Sequence, residues 1–478
     1  MPLAAAVPVA IVTPAPSGAA WDAARVAALQ RDLDALVAGS PALRGAHAGV
    51  LAVDLASGTT LYARNADDEF QPASTLKLLV GSAALERLGP DHRFVTRAVL
   101  RATGAADSPR PVLIAGGDPF LDAPALNDAV AALGAGGSVP RYGWLVDASR
   151  YDDRPYPEGW TWDDFGEDYA VPVSAMTFEE NVVHLTVTPG RAQGDPPAIA
   201  SAPLRYVSPV EGMCDGITPV TGDARTGAPG SESTLDVSRP SLGCTRLTGS
   251  IPLGAPPESI DAAVVSPVAY ARAYLDDATR RAGLGPAGGG PAPGSSAVFW
   301  THASAPLSAW LGPRFWIPSD NLVAELLLKE LGFAAGGKPG TTAKGVAFET
   351  SWLAGIGVDP STVTLADGSG LSQYDRITPR DLVAILTHDW AGPNRGLILD
   401  SVPVGGARGS IEGIAGTAAA GRVFAKTGSM SHVRGLAGYL APLHHGAVAF
   451  AFSVDDWNGA YPALAALRAA VLARIVDD

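Results

Sequence analysis

The 478-residue chain predicts an α+β protein: an antiparallel five-stranded sheet with helices, interrupted by a large β-rich insertion of one or two lobes. Three observations predict it. The N-terminal part reads as a helix and a hairpin. The C-terminal part reads as three strands and a helix, so two strands and three strands complete one sheet drawn from both chain ends. Between them lies an excursion of about 240 residues, rich in Gly, Pro, Val and Thr with short alternating runs.

Residues 22–38 (DAARVAALQRDLDALVA) repeat apolar positions at helical spacing. Residues 47–55 read as a strand, Ala56-Ser57-Gly58 as a turn and 59–63 as a second strand. Pro72 precedes Ser74, and a helix is predicted over 75–88, closed near Gly89-Pro90. At the other end, strands are predicted over 422–426, 433–440 and 446–454. Asn458-Gly459 breaks the chain before an Ala/Leu-rich helix over 462–475. In the excursion, 97–101, 111–115 and 182–187 read as strands, and Gly283 to Ser296 (GLGPAGGGPAPGSS) as a flexible linker. The expected division is therefore a discontinuous domain of 22–96 and 297–478, an insertion of 97–296, and a leader or disordered tail over 1–21.

Length requires two or three domains. Hydrophobic content of 47% and charge of 17% suit a globular protein. A net charge of −14 without a Lys/Arg cluster argues against nucleic acid and against anionic lipid as partners. No apolar run reaches the roughly 20 residues of a membrane span. The apolar stretch Met1 to Ala20 resembles the end of an export leader, or a disordered tail. Cys214 and Cys244, the two cysteines, would pair in an exported protein and would be buried thiols otherwise. The eight histidines show no metal-binding spacing, and His444-His445 falls in a predicted turn. Gly332 to Lys338 nearly spells a phosphate loop, but Pro339 replaces the required Ser or Thr. Asp152-Asp153 and Asp455-Asp456 read as solvated loop acids.

Three short polar motifs carry the chemistry: Ser74-Thr75-Leu76-Lys77, Ser319-Asp320-Asn321 and Lys426-Thr427-Gly428. The chain has five lysines, and two of them sit in these motifs. Chance would supply about 0.3 Ser-x-x-Lys matches and about 0.05 Lys-Thr-Gly matches in such a chain. A serine hydroxyl needs a base to become a nucleophile. A lysine three residues on lies on the same helical face. It must be neutral part of the time, which burial and a second cation such as Lys426 would favour. Ser319 would relay a proton between Lys77 and the leaving group. Asn321 would hold the substrate amide and the Lys77 side chain. Lys426 and Thr427 would bind a terminal carboxylate. Gly428 would let the strand backbone approach an extended ligand. The N–H groups of Ser74 and Ser429 would form an oxyanion hole. Each motif alone also reads blandly, since serine and Ser-Asp-Asn are common helix caps. The order of all three decides.

With these motifs the chain resembles the class C low-molecular-mass penicillin-binding proteins, exported D-Ala-D-Ala carboxypeptidases and endopeptidases. The resemblance extends to Gly116-Gly117-Asp118-Pro119, Leu145-Val146-Asp147, Pro172-Val173-Ser174-Ala175 with Glu180-Asn181, Ala324-Glu325, and Asp367-Gly368-Ser369-Gly370-Leu371-Ser372. The last segment and the long insert separate it from class A β-lactamases. The resemblance implies a penicillin-binding transpeptidase/β-lactamase-like domain carrying the insertion. It implies removal of the terminal D-Ala from a peptidoglycan stem peptide, or cleavage of D-amino cross-links, through an acyl-enzyme on Ser74. It implies β-lactams as covalent inhibitors, no metal or cofactor, and a place in the periplasm or cell wall. Asp147 is similar to a family acid near the pocket for the substrate's amino-bearing side chain. Gln373 stands where relatives often carry Arg, and Arg376 is the candidate substitute. The alternatives are a β-lactamase and a non-catalytic penicillin-binding wall sensor.

Overall fold

Two chain ends meet in one sheet because the strand pairs at each end leave one apolar strand with an unpaired edge, and those two edges pair with each other. In the computed structural model, which describes residues 9–101, 110–135, 143–204, 220–241, 243–284, 297–409, 411 and 413–478, five antiparallel strands run in the order Val423–Met430, Val433–Leu440, Val448–Asp455, His47–Asp54, Thr60–Arg64. The join between the ends is the pairing of His47–Asp54 with Val448–Asp455, with Val50 opposite Phe452. These central strands are buried almost throughout, so they read as continuous apolar runs rather than alternating ones.

Helices Ala23–Ala38 and Tyr461–Asp477 contribute Leu29, Leu33, Leu464, Val471 and Leu472 to a core shared with Val50, Ala52, Phe450 and Phe452. Each such side chain contributes about 1.5–3 kcal/mol on burial. Asp22 caps the first helix by accepting from the Arg25 N–H. Helix Pro379–Ala391, with a Thr378/Asp381 capping box, packs on the strands Val448–Asp455 and His47–Asp54.

The chain divides into two compact units, one of residues 1–92, 306–335 and 342–478 and one of residues 93–305 and 336–341. The second holds a four-stranded sheet ordered Val298–Ala303, Val95–Arg101, Arg110–Ile114, Leu145–Asp147, and a three-stranded sheet of Glu258–Ala263, Val182–Thr188 and Ala198–Ala202. Two smaller strand groups and the helices Ala123–Ala135 and Pro267–Arg281 complete its main elements among the described residues.

Several expectations need correction. The boundaries expected at 97 and 296 cut into the second unit's sheet, because Val95–Arg101 and Val298–Ala303 pair with each other. The stretch 336–341 also belongs there, through Tyr151 bridged to Gly340. The expected leader or disordered tail is ordered from residue 9: Val12 N–H donates to Gly421 O, Ala15 O accepts from Ala447 N–H, and Trp21 stacks on His445 at 3.8 Å. Asp455 is not a solvated loop acid. It ends a strand and accepts from the Gln71 N–H at 3.0 Å. Most of the expected 283–296 linker lies outside the described residues. So does Cys214. Cys244, on the strand Cys244–Thr248, is disulfide-bonded.

Candidate active site

All three motifs fall in the first unit. Ser74 sits in a 3-10 turn, Ala73–Leu76, that runs straight into the α-helix Lys77–Arg87. The helix was expected to begin at Thr75. The tighter turn matters because residues three apart eclipse in 3-10 geometry, which brings Lys77 over Ser74. Ala73 adopts φ +44, a left-handed conformation costly for a residue with a Cβ. Its surroundings hold it there. A Cβ on Gly370 would lie 1.9 Å from Ala73 O, and one on Gly428 would lie 2.7 Å from Pro72 O. Both glycines are required by these close approaches. From below, the Trp316 indole N–H donates to Lys77 O at 2.8 Å.

The second motif enters after a π-helical turn, Leu311–Trp316. Ser319 is left-handed at φ +65, and Asp320 Oδ1 accepts from Val323 N–H, the capping bond of the helix Asn321–Gly336. With Asp320 as the cap, the side chains of Ser319 and Asn321 are left to face the lysines. The third motif lies on Val423–Met430, the edge strand of the sheet, with Lys426 opposite Ala437.

Lys77 is fully buried. Its Nζ donates to Ser74 Oγ at 2.7 Å, Asn321 Oδ1 at 2.6 Å and Ser369 O at 2.8 Å. Lys426, also buried, donates to Ser319 Oγ at 2.8 Å and Thr427 O at 2.9 Å. Burial lowers the Lys77 pKa to about 8, against the opposing pull of Asp367, Asp320 and Glu325. Burial, and then the charge of Lys77, push Lys426 well below the usual lysine range. Two lysines in one dry site resist being charged together. For Lys77, burial rather than Lys426 is the principal cause.

The structure thus brings together Ser74, Lys77, Ser319, Asn321, Lys426 and Thr427. Ser429 follows on the same strand and is exposed. Gln373 is exposed, and its carbonyl accepts from Gln71 Nε2 and from the Arg376 guanidinium. Arg376 also donates to Asp375 O at 2.6 Å, so its guanidinium closes its own loop. Asp147 lies on Leu145–Asp147 in the second unit, not among the motif residues. A hydrogen bond from the Ser149 hydroxyl holds its carboxyl below the usual range, and it lines a cavity of about 990 Å³ with Arg101, Asp152 and Lys338.

Two contributors carried no sequence motif of their own chemistry. Ser369 acts through its carbonyl, which any residue could supply. Trp316 acts through a contact across 239 positions. The signal that was available is Glu325, an acid inside the apolar run NLVAELLLKELG. Among the described residues no cluster of His, Cys, Asp or Glu could hold a metal ion.

A sheet drawn from both chain ends, with a Ser–Lys pair on a helix and a second lysine on the edge strand, defines the penicillin-recognising serine enzymes as a class. Comparison with known proteins narrows this. The D-Ala-D-Ala carboxypeptidase 3 (S13) family profile matches residues 29–473. A D-alanyl-D-alanine carboxypeptidase of an Actinomadura species is 34% identical over 98% of this chain and 88% of its own length. The D-alanyl-D-alanine carboxypeptidase DacB of Haemophilus influenzae is 24% identical over 87% of this chain and 86% of its own. The crystal structure of penicillin-binding protein 4 from Haemophilus influenzae superposes with a TM-score of 0.77 at 23% identity, covering 92% of this chain and 98% of that one. The same protein complexed with a β-lactam gives 0.74 at 22% identity, covering 94% and 100%. The chain belongs to the D-Ala-D-Ala carboxypeptidase S13 family, the class C low-molecular-mass penicillin-binding proteins, and is a serine-type DD-peptidase.

Proposed function

We propose that Ser74 is the nucleophile and Lys77 its base in removing D-Ala from peptidoglycan stem peptides ending in D-Ala-D-Ala. The observation that carries this is the set of three oxygens around Lys77 Nζ. Asn321 Oδ1 and Ser369 O cannot donate a proton. A neutral Lys77 amine therefore spends its two N–H groups on them and turns its lone pair to Ser74 Oγ. Ser74 Oγ attacks the carbonyl carbon of the penultimate residue while its proton passes to Lys77. The N–H groups of Ser74 and Ser429 receive the oxyanion. The proton then moves by way of Ser319 to the departing amine, the C–N bond breaks and D-Ala leaves. Water, deprotonated by the same route, hydrolyses the ester.

Lys426 and Thr427 hold the terminal carboxylate, and Gly428 admits the peptide along the edge strand. Asp147, in its cavity with Lys338, is a candidate contact for the amino-bearing side chain of the stem peptide, and Gln373 and Arg376, on the first unit, are candidate substrate contacts in their own loop. A β-lactam presents an amide and a carboxylate to the same groups and acylates Ser74. Such a substrate places the protein outside the cytoplasm. Among the described residues no helix is long and apolar enough to cross a membrane.

Intact-mass measurement after incubation with benzylpenicillin tests the assignment. Wild type should gain one penicillin and Ser74→Ala none. Hydrolysed penicillin without a persisting adduct would instead indicate a β-lactamase. Neither adduct nor hydrolysis would indicate a non-catalytic binding protein.

A further inference from the structure

Behind Lys77 lies a group of carboxyls that the reaction does not consume. Glu325, Glu349, Asp367 and Asp375 are each fully buried. Three of them are wound into one loop. Glu325 Oε1 accepts from Gly368 N–H at 3.0 Å and Ser369 N–H at 2.8 Å. Asp367 accepts from Gly370 N–H at 2.7 Å and Ser372 N–H at 2.8 Å. Asp375 accepts from Ala366 N–H at 2.7 Å. The loop they shape makes two contacts toward the chemistry. Ser369 O receives Lys77 Nζ, and Gly370 abuts Ala73 O. The Ser369 carbonyl is one of the two acceptors that orient the Lys77 lone pair. It belongs to the 369–370 peptide, whose N–H is held by Asp367, and Glu325 holds the N–H groups of the two peptides before it, so the two acids together fix the residue that fixes the base.

We propose that Glu325 is a positioning residue of the acyl-transfer reaction: its Oε1, by accepting from Gly368 and Ser369 N–H, holds the Ser369 carbonyl on Lys77 Nζ. This rests on the assignment of Lys77 as base. Glu325 reaches the loop from the buried face of the helix Asn321–Gly336, whose first residue is Asn321. One rigid helix therefore sets both acceptors on Lys77, Asn321 directly and Ser369 through Glu325. A Cβ on Gly368 would lie 2.9 Å from Ala324 O, so loop and helix are in close contact and the placement has little slack. A buried carboxyl accepting two N–H groups is a strong fixed anchor. Its other oxygen, Oε2, has no hydrogen-bond partner among the described residues, so an amide in its place keeps the anchoring bonds.

The test is the rate of Ser74 acylation by benzylpenicillin, followed by quenched intact mass across pH, for wild type, Glu325→Gln, Glu325→Asp and Glu325→Met, with a melting temperature for each. Glu325→Gln retains the acceptor and should acylate within threefold of wild type. Its pH midpoint should stay close to that of wild type, because burial keeps the Glu325 carboxyl largely protonated up to about pH 8 and the amide mimics that neutral form. Glu325→Asp withdraws the acceptor and Glu325→Met removes it; each folded variant should lose at least tenfold in acylation rate, with little change in reversible penicillin affinity. Glu325→Gln impaired more than tenfold would overturn the proposal, as would Glu325→Asp or Glu325→Met acylating like wild type with an unchanged pH profile. If Glu325→Asp and Glu325→Met do not fold, the Glu325→Gln rate decides alone. Wild type that takes no penicillin would defeat the Ser74–Lys77 assignment itself, which separates that failure from this one.

Discussion

Lys77 Nζ lies 2.6 Å from Asn321 Oδ1, closer than to the serine it serves. The amide thus acts on the base before it meets any substrate. Asn321→Asp keeps an acceptor at this spot but adds a charge that stabilises the ammonium. An opposite charge at such range raises a lysine pKa by about one unit or more. The pH midpoint of acylation should rise accordingly, and at neutral pH the rate should fall about tenfold. A stopped-flow pH series on the variant checks this.

Replacing Lys77 by Met removes the base while leaving an apolar chain of similar length. Positioned general bases contribute roughly 10²–10⁴-fold. Acylation should fall by that factor, with the melting temperature held or raised, because a cation that resists burial is gone. Calorimetry and penicillin-adduct kinetics measure both.

Gly428→Ala sets a Cβ 2.7 Å from Pro72 O and 3.1 Å from Thr75 N. The edge strand must move off the turn that holds Ser74. Overpacking of this kind costs about 1–3 kcal/mol. Acylation should drop at least tenfold while the fold, followed by circular dichroism, persists.

The stability of the protein should also depend on pH with a sign set by its buried acids. Burial raises Glu325 from 4.5 to about 8 and lifts Glu349 and Asp375 well above their ordinary values. A raised carboxyl stabilises the fold at low pH, where both states hold the proton, and this contribution is lost as pH climbs through the folded pKa. Lys77, lowered from 10.5 to about 8, works oppositely, and restores stability between those values. The melting temperature should therefore fall from about pH 5 to about pH 8, a change on the order of a few kcal/mol, and Glu325→Gln should flatten that fall. Thermal melts at half-unit pH steps would show it.

The sheet was legible because period and length signal strands and helices at both ends, and because Ser74, Lys77, Ser319, Asn321 and Lys426 stand in fixed local spacings. What escaped was non-local. Ser369 acts through a backbone carbonyl, and the 3-10 turn at Ala73–Leu76 follows from close approach of Gly370 and Gly428, two segments far away in sequence. The order of residues 9–21 is not legible in sequence, because small apolar residues carry no period. Their place is fixed by contacts with residues near 421 and 445. The helices Ala123–Ala135 and Pro267–Arg281 were submerged in the Gly- and Pro-rich composition around them.

The central claim is that a neutral Lys77 takes the Ser74 proton, and the pH dependence of the acylation rate with benzylpenicillin tests it most directly. The base is active only when unprotonated, so the wild-type rate should climb tenfold per pH unit on the acid side and level off above a midpoint near about 8. A rate constant unchanged from pH 6 to pH 10 would contradict it.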